Sequence, residues 1–338
     1  MQIEAAAPYR IRQDIATLAP PPDITLRAAR PSDAAALRAL ELRCSIVMGN
    51  VRVTYDRGED YFAGGRLVGQ SNPLVAEKDG ALVAVHCVLN HELRVGGRTF
   101  QATCTTAVSS LESRGGLFSA LQGAEIERNA HKNEILYSYV AVGNEAGLRL
   151  VPVRSWSARP ERLMIDCHTQ AGARQGRPAR AEDAQRIVAL INGAHEREEP
   201  FLPYTVERLA TRLGREPETY GWAHLLLGER AVVGVWPAGM RVLRQTPDGR
   251  EESVRALVLD TGFAPDAEGE LVALLRAWCG TLIGRGFTHL SLFTSPGSPG
   301  YEALLPLAMR VEPYHFNIGL PEPPDVATRG LYVDHLYF

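Results

Sequence analysis

The residues best placed to do chemistry lie between Cys104 and Leu121, CTTAVSSLESRGGLFSAL. A β-type run leaves off at Val108-Ser109, a turn passes through Arg114-Gly115-Gly116, and helical spacing begins at once with Leu117, Leu121 and Ala124. Glycines let successive backbone N–H groups converge with no Cβ in the way, and a helix start adds the positive end of its dipole. Together they make a cradle for a pyrophosphate, to which Arg114 adds a cationic contact. The turn is not a P-loop, since no Gly-Lys-Ser/Thr follows, and it is not GxGxxG.

The elements around this loop recur. Arg27 to Leu40 reads RAARPSDAAALRAL and Arg177 to Leu190 reads RPARAEDAQRIVAL, with Arg27/Arg177, Ala29/Ala179, Arg30/Arg180, Asp33/Asp183, Ala34/Ala184, Ala39/Ala189 and Leu40/Leu190 matched at an offset of 150. Each copy predicts a short strand, a polar turn and a helix whose first turn holds the aspartate, favourable against the dipole. Ala81 to Val85 matches Ala231 to Val235 at the same offset, each after a charged turn. Two matches at one offset make duplication the better account.

In the first half, strands are expected at Leu74–Lys78, Ala81–Leu93, Arg98–Ser109 and Glu134–Ala141, with a helix after Gly116. In the second they are expected at Trp222–Leu227, Ala231–Leu243, Ser253–Leu259 and Thr288–Phe293, with a helix over Glu270–Ile283. The fold class is therefore α/β (α+β): two tandem domains, each a mixed, largely antiparallel sheet flanked by helices. Residues 1–22 read as an N-terminal extension, 23–168 as the first domain with the phosphate loop, and 169–338 as the second.

Composition narrows the function. The 338 residues are 45% hydrophobic and 22% charged, with a formal net charge of −3, which gives no case for nucleic acid. No apolar run reaches the roughly 20 residues of a membrane span, and Met1 to Asp23 lacks the pattern of a secretion signal. Five scattered cysteines without CxxC spacing predict reduced thiols in the cytoplasm and no metal site; the pair Cys167-His168 does not make one.

Taken in order, these segments resemble the GNAT superfamily of acyl-CoA-dependent N-acyltransferases. The opening strand, Arg-x-x-Asp and helix resemble its first motif, Val75 to Val85 its second and third strands, and Val108 to Phe118 its pyrophosphate motif. Position by position, Ser113 stands at the usual Arg/Gln place, Gly116 at the central glycine and Phe118 at the last small residue. Arg114 beside Ser113 can supply the missing polar arm. Tyr139 to Gly147 resembles the next strand and its turn, where Asn144 would contact pantetheine or cap the following helix.

The resemblance implies acetyl-CoA or another acyl-CoA as co-substrate, an amine of a small molecule or peptide as acceptor, and direct attack on the thioester. Pantetheine would lie between the strand ending at Val108 and Glu134–Ala141, pairing with backbone near Ala107, Val108 and Ser109, while Gly115, Gly116 and Leu117 cradle phosphate. Proton-transfer candidates are Tyr137 and Tyr139, which alternate and so share a side, His86 in mid-strand, Glu92 more weakly, and the terminal carboxylate of Phe338. Each has a plain structural alternative: a packing tyrosine, a core histidine, a domain ending flush with its last strand. Gln101 to Val108, where many relatives carry a glutamate base, has no carboxylate. Tyr55, Tyr61 and Phe62, within Met48 to Asn72, suit a lid over a small polar acceptor or an ordinary loop. The second copy reads Phe263 to Glu270, FAPDAEGE, where the phosphate loop should be. Its acidic side chains oppose an anion, so that copy is expected to complete the fold, shape the acceptor pocket or mediate a homodimer. A non-catalytic acyl-CoA-binding or interaction protein is the alternative class.

Overall fold

The computed structural model describes residues 19–69, 73–111, 117–129, 135–150 and 160–319. The first unit opens with strand β1 (Thr25–Ala28) and, after a single turn over Pro31–Asp33, helix α1 (Ala34–Arg43). Asp33 fixes this corner. It accepts the Arg30 backbone N–H at 2.7 Å and the Arg27 guanidinium at 2.7 and 3.1 Å. The Arg27 hydrogen bonds hold its pKa below the usual carboxylate value. Leu37 and Leu40, one helical turn apart, are buried beneath α1, each stabilising the packing by about 1.5–3 kcal/mol.

Strands β2 (Ile46–Met48) and β3 (Val51–Asp56) follow, then β4 (Leu74–Lys78), β5 (Ala81–Val95), β6 (Arg98–Ser110), helix α2 (Leu117–Asn129) and β7 (Ile135–Ala141). The β4–β5 hairpin turns through Asp79 and Gly80 at φ 50° and 77°, the paired positive φ values of a tight hairpin turn. Strand β8 (Glu161–Asp166) leads to the second unit: β9 (Arg177–Pro178), α3 (Ala184–His195), α4 (Val206–Arg215), β10 (Leu225–Leu227), β11 (Ala231–Thr246), β12 (Gly249–Phe263), α5 (Glu268–Ile283), β13 (His289–Thr294) and β14 (Ala308–Gly319). The sequence reads Trp222 to Leu227 as one strand. The structure instead makes Trp222–His224 a 3-10 turn, with the Gly221 N–H donating to His224 Nδ1 at 3.0 Å, and keeps only Leu225–Leu227 extended.

The described strands form one mixed sheet in the order β1-β4-β5-β6-β7-β14-β8-β13-β12-β11-β10-β9, with β3 added against β11 and β2 against β3. Pairing is antiparallel throughout except for β6–β7 and β12–β13. Helix α2 packs on β4 and β5, and α5 on β11 and β12, each over its own apolar cluster.

The middle of the sheet is a reciprocal exchange. Strand β8 follows the first unit yet pairs with β13 of the second, while β14 closes the second unit yet pairs with β7 of the first. Ile165 lies opposite Leu290 and His315 opposite Val140. Val140 and Leu290 are 150 positions apart, as are Ile165 and His315, so the offset of the motifs persists in the exchanged strands. The corner at Asp33 is repeated as well: Asp183 accepts the Arg180 N–H at 2.9 Å and the Arg177 guanidinium at 2.7 and 2.5 Å.

Candidate active site

Strands β6 and β7 pair only through Ala102–Thr105 against Ile135–Ser138. Strand β6 continues to Ser110 and β7 to Ala141, so beyond Thr105 and Ser138 the two strands part. On the other side of β6, His86 lies opposite Val108 and Val88 opposite Thr105, two steps on β5 against three on β6. The extra residue is a β-bulge at Thr106-Ala107, the kind of irregularity that turns backbone groups out of the ladder. Among the described residues, the backbone of Val108 and Ser109 facing β7 thus has no strand partner there, and such an edge can accept an extended ligand as an added strand.

The structure brings some of the sequence-predicted residues to this cleft and places others elsewhere. Ala107, Val108 and Ser109 lie along the cleft edge of β6. Leu117 starts α2 and buries its side chain against Ile24, Leu74, Ala76 and Ala84, so it meets a ligand only through its backbone; Phe118 follows in the same turn. Ser113, Arg114, Gly115, Gly116 and Phe338 lie outside the described residues. Asn144 caps the helix Glu145–Leu150: its Oδ1 accepts the Gly147 N–H at 2.9 Å.

Tyr137 and Tyr139 share a face, as their spacing requires, with rings 5.8 Å apart edge to face. Tyr137 is fully buried within the paired part of β7, its Oη 2.6 Å from His91 Nε2. Tyr139 lies past the last β6–β7 pair and stacks on Phe316 at 5.0 Å. His86 is buried, and burial pushes its pKa down to about 4. It projects from the side of β5 opposite to Cys87 and Leu89. Glu92 is exposed further along, accepting Gln101 Nε2 at 3.3 Å.

A cavity of about 300 Å³ adjoins the bulge, reaching Thr106. Tyr61 and Phe62 of the loop after β3 and Cys87 and Leu89 of β5 form one wall. Trp236, Met240 and Leu257 of the second unit form the other. Residues 57–65 of the Met48 to Asn72 segment line this cavity and Tyr55 does not, and strand β3 pairs with β11 across the unit boundary. Beneath the first wall lies a cluster that the sequence reading missed. Glu41 is buried on α1 and accepts Arg57 Nε at 3.0 and 3.2 Å and Tyr61 Oη at 3.2 Å. Tyr61 Oη also lies 3.8 Å from Cys87 Sγ. Burial pushes the Cys87 thiol up to about 12, and it raises the Tyr61 phenol as well. Arg57 lines the cavity; burial opposes its charge, but the Glu41 carboxylate more than compensates. The available signal was Glu41 itself, an acid on the same helical stripe as Leu37 and Leu40.

No family profile matches this chain, and no curated protein matches it by sequence. Solved structures do. N-myristoyltransferase from Saccharomyces cerevisiae with bound myristoyl-CoA superposes with a TM-score of 0.66 at 10% identity, over 98% of this chain and 91% of that one. A GCN5-related N-acetyltransferase from Sphaerobacter thermophilus matches with a TM-score of 0.55 at 18% identity, over 95% of this chain and all of the other, 100%. The fold is that of the tandem GNAT proteins.

Within this tandem GNAT fold the second copy keeps the geometry of the first. Strands β12 and β13 pair only through Arg255–Leu257 against His289–Ser291, and a one-residue slip separates Gly234/Asp260 from Val235/Val258. Beyond these pairs, Val258, Leu259 and Thr261 of β12 and Leu292, Phe293 and Thr294 of β13 line a small cavity of about 30 Å³ together with His195 and Glu198. Asp260, fully buried, accepts Tyr204 Oη at 2.7 Å, Arg212 Nε at 3.2 Å and Tyr220 Oη. At the loop, Glu270 turns back to accept the backbone N–H groups of Glu229 at 2.5 Å and Arg230 at 2.9 Å. A carboxylate is thus held in the first turn of α5.

Proposed function

We propose that the chain is an acyl-CoA-dependent N-acyltransferase that moves an acetyl or other acyl group to the amine of a small molecule or peptide. The observation that carries this reading is the junction at Thr106: the parting of β6 from β7, the bulge on β6 and the cavity between the units meet there. Pantetheine would pair with the β6 edge near Ala107 to Ser109, placing the thioester at the bulge. The loop Ser113 to Phe118 would hold the pyrophosphate. A neutral amine in the cavity would attack the thioester carbon, a backbone N–H turned out by the bulge would stabilise the oxyanion, and collapse would break the C–S bond and expel the CoA thiolate while water takes the proton from the amine nitrogen. Tyr139, next to the cleft, is the proposed proton donor to that thiolate, with Tyr137 held behind it by His91.

The reading includes the division into an extension (1–22), a ligand-binding unit (23–168) and a supporting unit (169–338), although the two units share strands. It also includes a cytoplasmic setting, which the five free cysteines support. Calorimetry with CoA and with acyl-CoAs of several chain lengths is the test, followed by thiol release across an amine panel. Micromolar binding abolished by Gly116→Glu is expected; no heat with any acyl-CoA would sink the proposal. Binding without thiol release from any amine would make the protein a carrier or sensor.

A further inference from the structure

The cavity itself describes its occupant. Its walls are predominantly apolar and aromatic where the two units meet: Tyr61, Phe62 and Leu89 from one side, Trp236, Met240 and Leu257 from the other. At about 300 Å³ it lies at the small end of ligand sites, which run to ~1,000 Å³. Its charged lining is partly ion-paired. Arg57 is held by the buried Glu41. Asp60 is held at 2.5 Å by Arg66, which also reaches Glu216 of the second unit at 2.5 Å. The other charged residues in the described lining are Glu59 and Glu218, both exposed, and Arg285. Among the described lining residues that is an excess of one carboxylate, which favours a single ammonium, while the apolar walls penalise a further unpaired polar group packed against them.

We propose that the acceptor is a primary amine on a compact aromatic or branched aliphatic body, and that Trp236 is the residue that selects it. This rests on the transferase reading above. The apolar body fills the space between Tyr61 and Trp236 while the amine is presented towards Thr106. Trp236 belongs to the second unit, so one copy would set the specificity of the other. Its ring lies beside Gly64: a Cβ there would meet it at an ordinary contact distance of 3.5 Å, and only a larger side chain would press on it.

The experiment measures amine binding by calorimetry, with and without CoA, alongside thiol release with acetyl-CoA. The panel sets phenethylamine and isoamylamine against spermidine and glucosamine. The apolar amines should bind at least tenfold more tightly. Trp236→Ala should weaken them at least tenfold, Trp236→Phe should restore most of that loss, and the change should fall on KM rather than kcat. Gly64→Leu, which adds bulk beside the ring, should weaken the same amines if Trp236→Ala proves unstable. Tighter binding of spermidine or glucosamine, or apolar amines indifferent to both variants, overturns the proposal. Thiol release with polar amines alone would do so while leaving the transferase intact, whereas apolar binding with no acyl-CoA binding would overturn only the transferase.

Discussion

Arg162 and Glu312 lie directly opposite each other in the β8–β14 pair, exactly one repeat length apart, with Arg162 Nη1 3.6 Å from the Glu312 carboxylate. Arg66 and Glu216, ion-paired at 2.5 Å, are separated by the same 150 positions. A position that touches its own counterpart lies on a local two-fold axis. Duplication has therefore left the same kind of internal symmetry that an isologous dimer has, and both on-axis pairs have become opposite charges.

The first prediction concerns the Arg162 pair. The Arg162 guanidinium stacks on Phe293 and Tyr314 at 4.9 and 5.0 Å and donates to Tyr55 Oη at 3.3 Å. Glu312→Ala leaves it buried without its carboxylate and should destabilise the fold by about 3 kcal/mol. The double variant Arg162→Met, Glu312→Leu should recover most of that loss. Urea unfolding measures both, and circular dichroism and tryptophan fluorescence should report a single coincident transition.

Acid should act through the repeated corners. The Arg177 hydrogen bonds hold Asp183 at about 2, below its ordinary 3.8. A depressed carboxylate contributes stability that is full above the unfolded pKa and is lost as pH falls through the folded one. Wild-type Tm should therefore fall between about pH 4 and pH 2, and Asp183→Asn should flatten that part of the curve. Asp33→Asn should act in the same direction.

The two tyrosines should separate. Tyr139→Phe is expected to lower kcat by about 10²-fold or more, with KM little changed. Tyr137→Phe removes the His91 hydrogen bond and should cost about 1–2 kcal/mol of stability, with a much smaller effect on kcat. Equal losses of kcat would remove the distinction drawn from their positions along β7.

A covalent route through Cys87 should be closed. A thiol pushed up to about 12 is almost wholly protonated near neutrality. Intact mass after incubation with acetyl-CoA should show no acyl adduct. Iodoacetamide at pH 8 should leave Cys87 of the folded protein unmodified long after free cysteine is consumed.

Much of the fold was legible because local signals carried it. The Arg27–Asp33 and Arg177–Asp183 corners and the Asp79-Gly80 turn each specify their own geometry within a few residues. The exchange of β8 and β14 was not legible, since an apolar strand pairs equally well with a neighbour near or far in sequence. The cavity was half legible: Tyr61 and Phe62 announced a covering segment, but Trp236 comes from the other copy, and only the folded sheet brings it there. Glu41 could have been read from its place on the buried stripe of α1.

The crossed strands β8 and β14 tie the copies together differently from a linker. Each copy holds the strand that completes the other, so neither can be deleted, shuffled or expressed apart without leaving an open sheet edge behind. Under that constraint a duplicate is free to lose its chemistry but not its backbone. Asp260 and Glu270 carry charge in the second copy on a backbone that the first copy still requires.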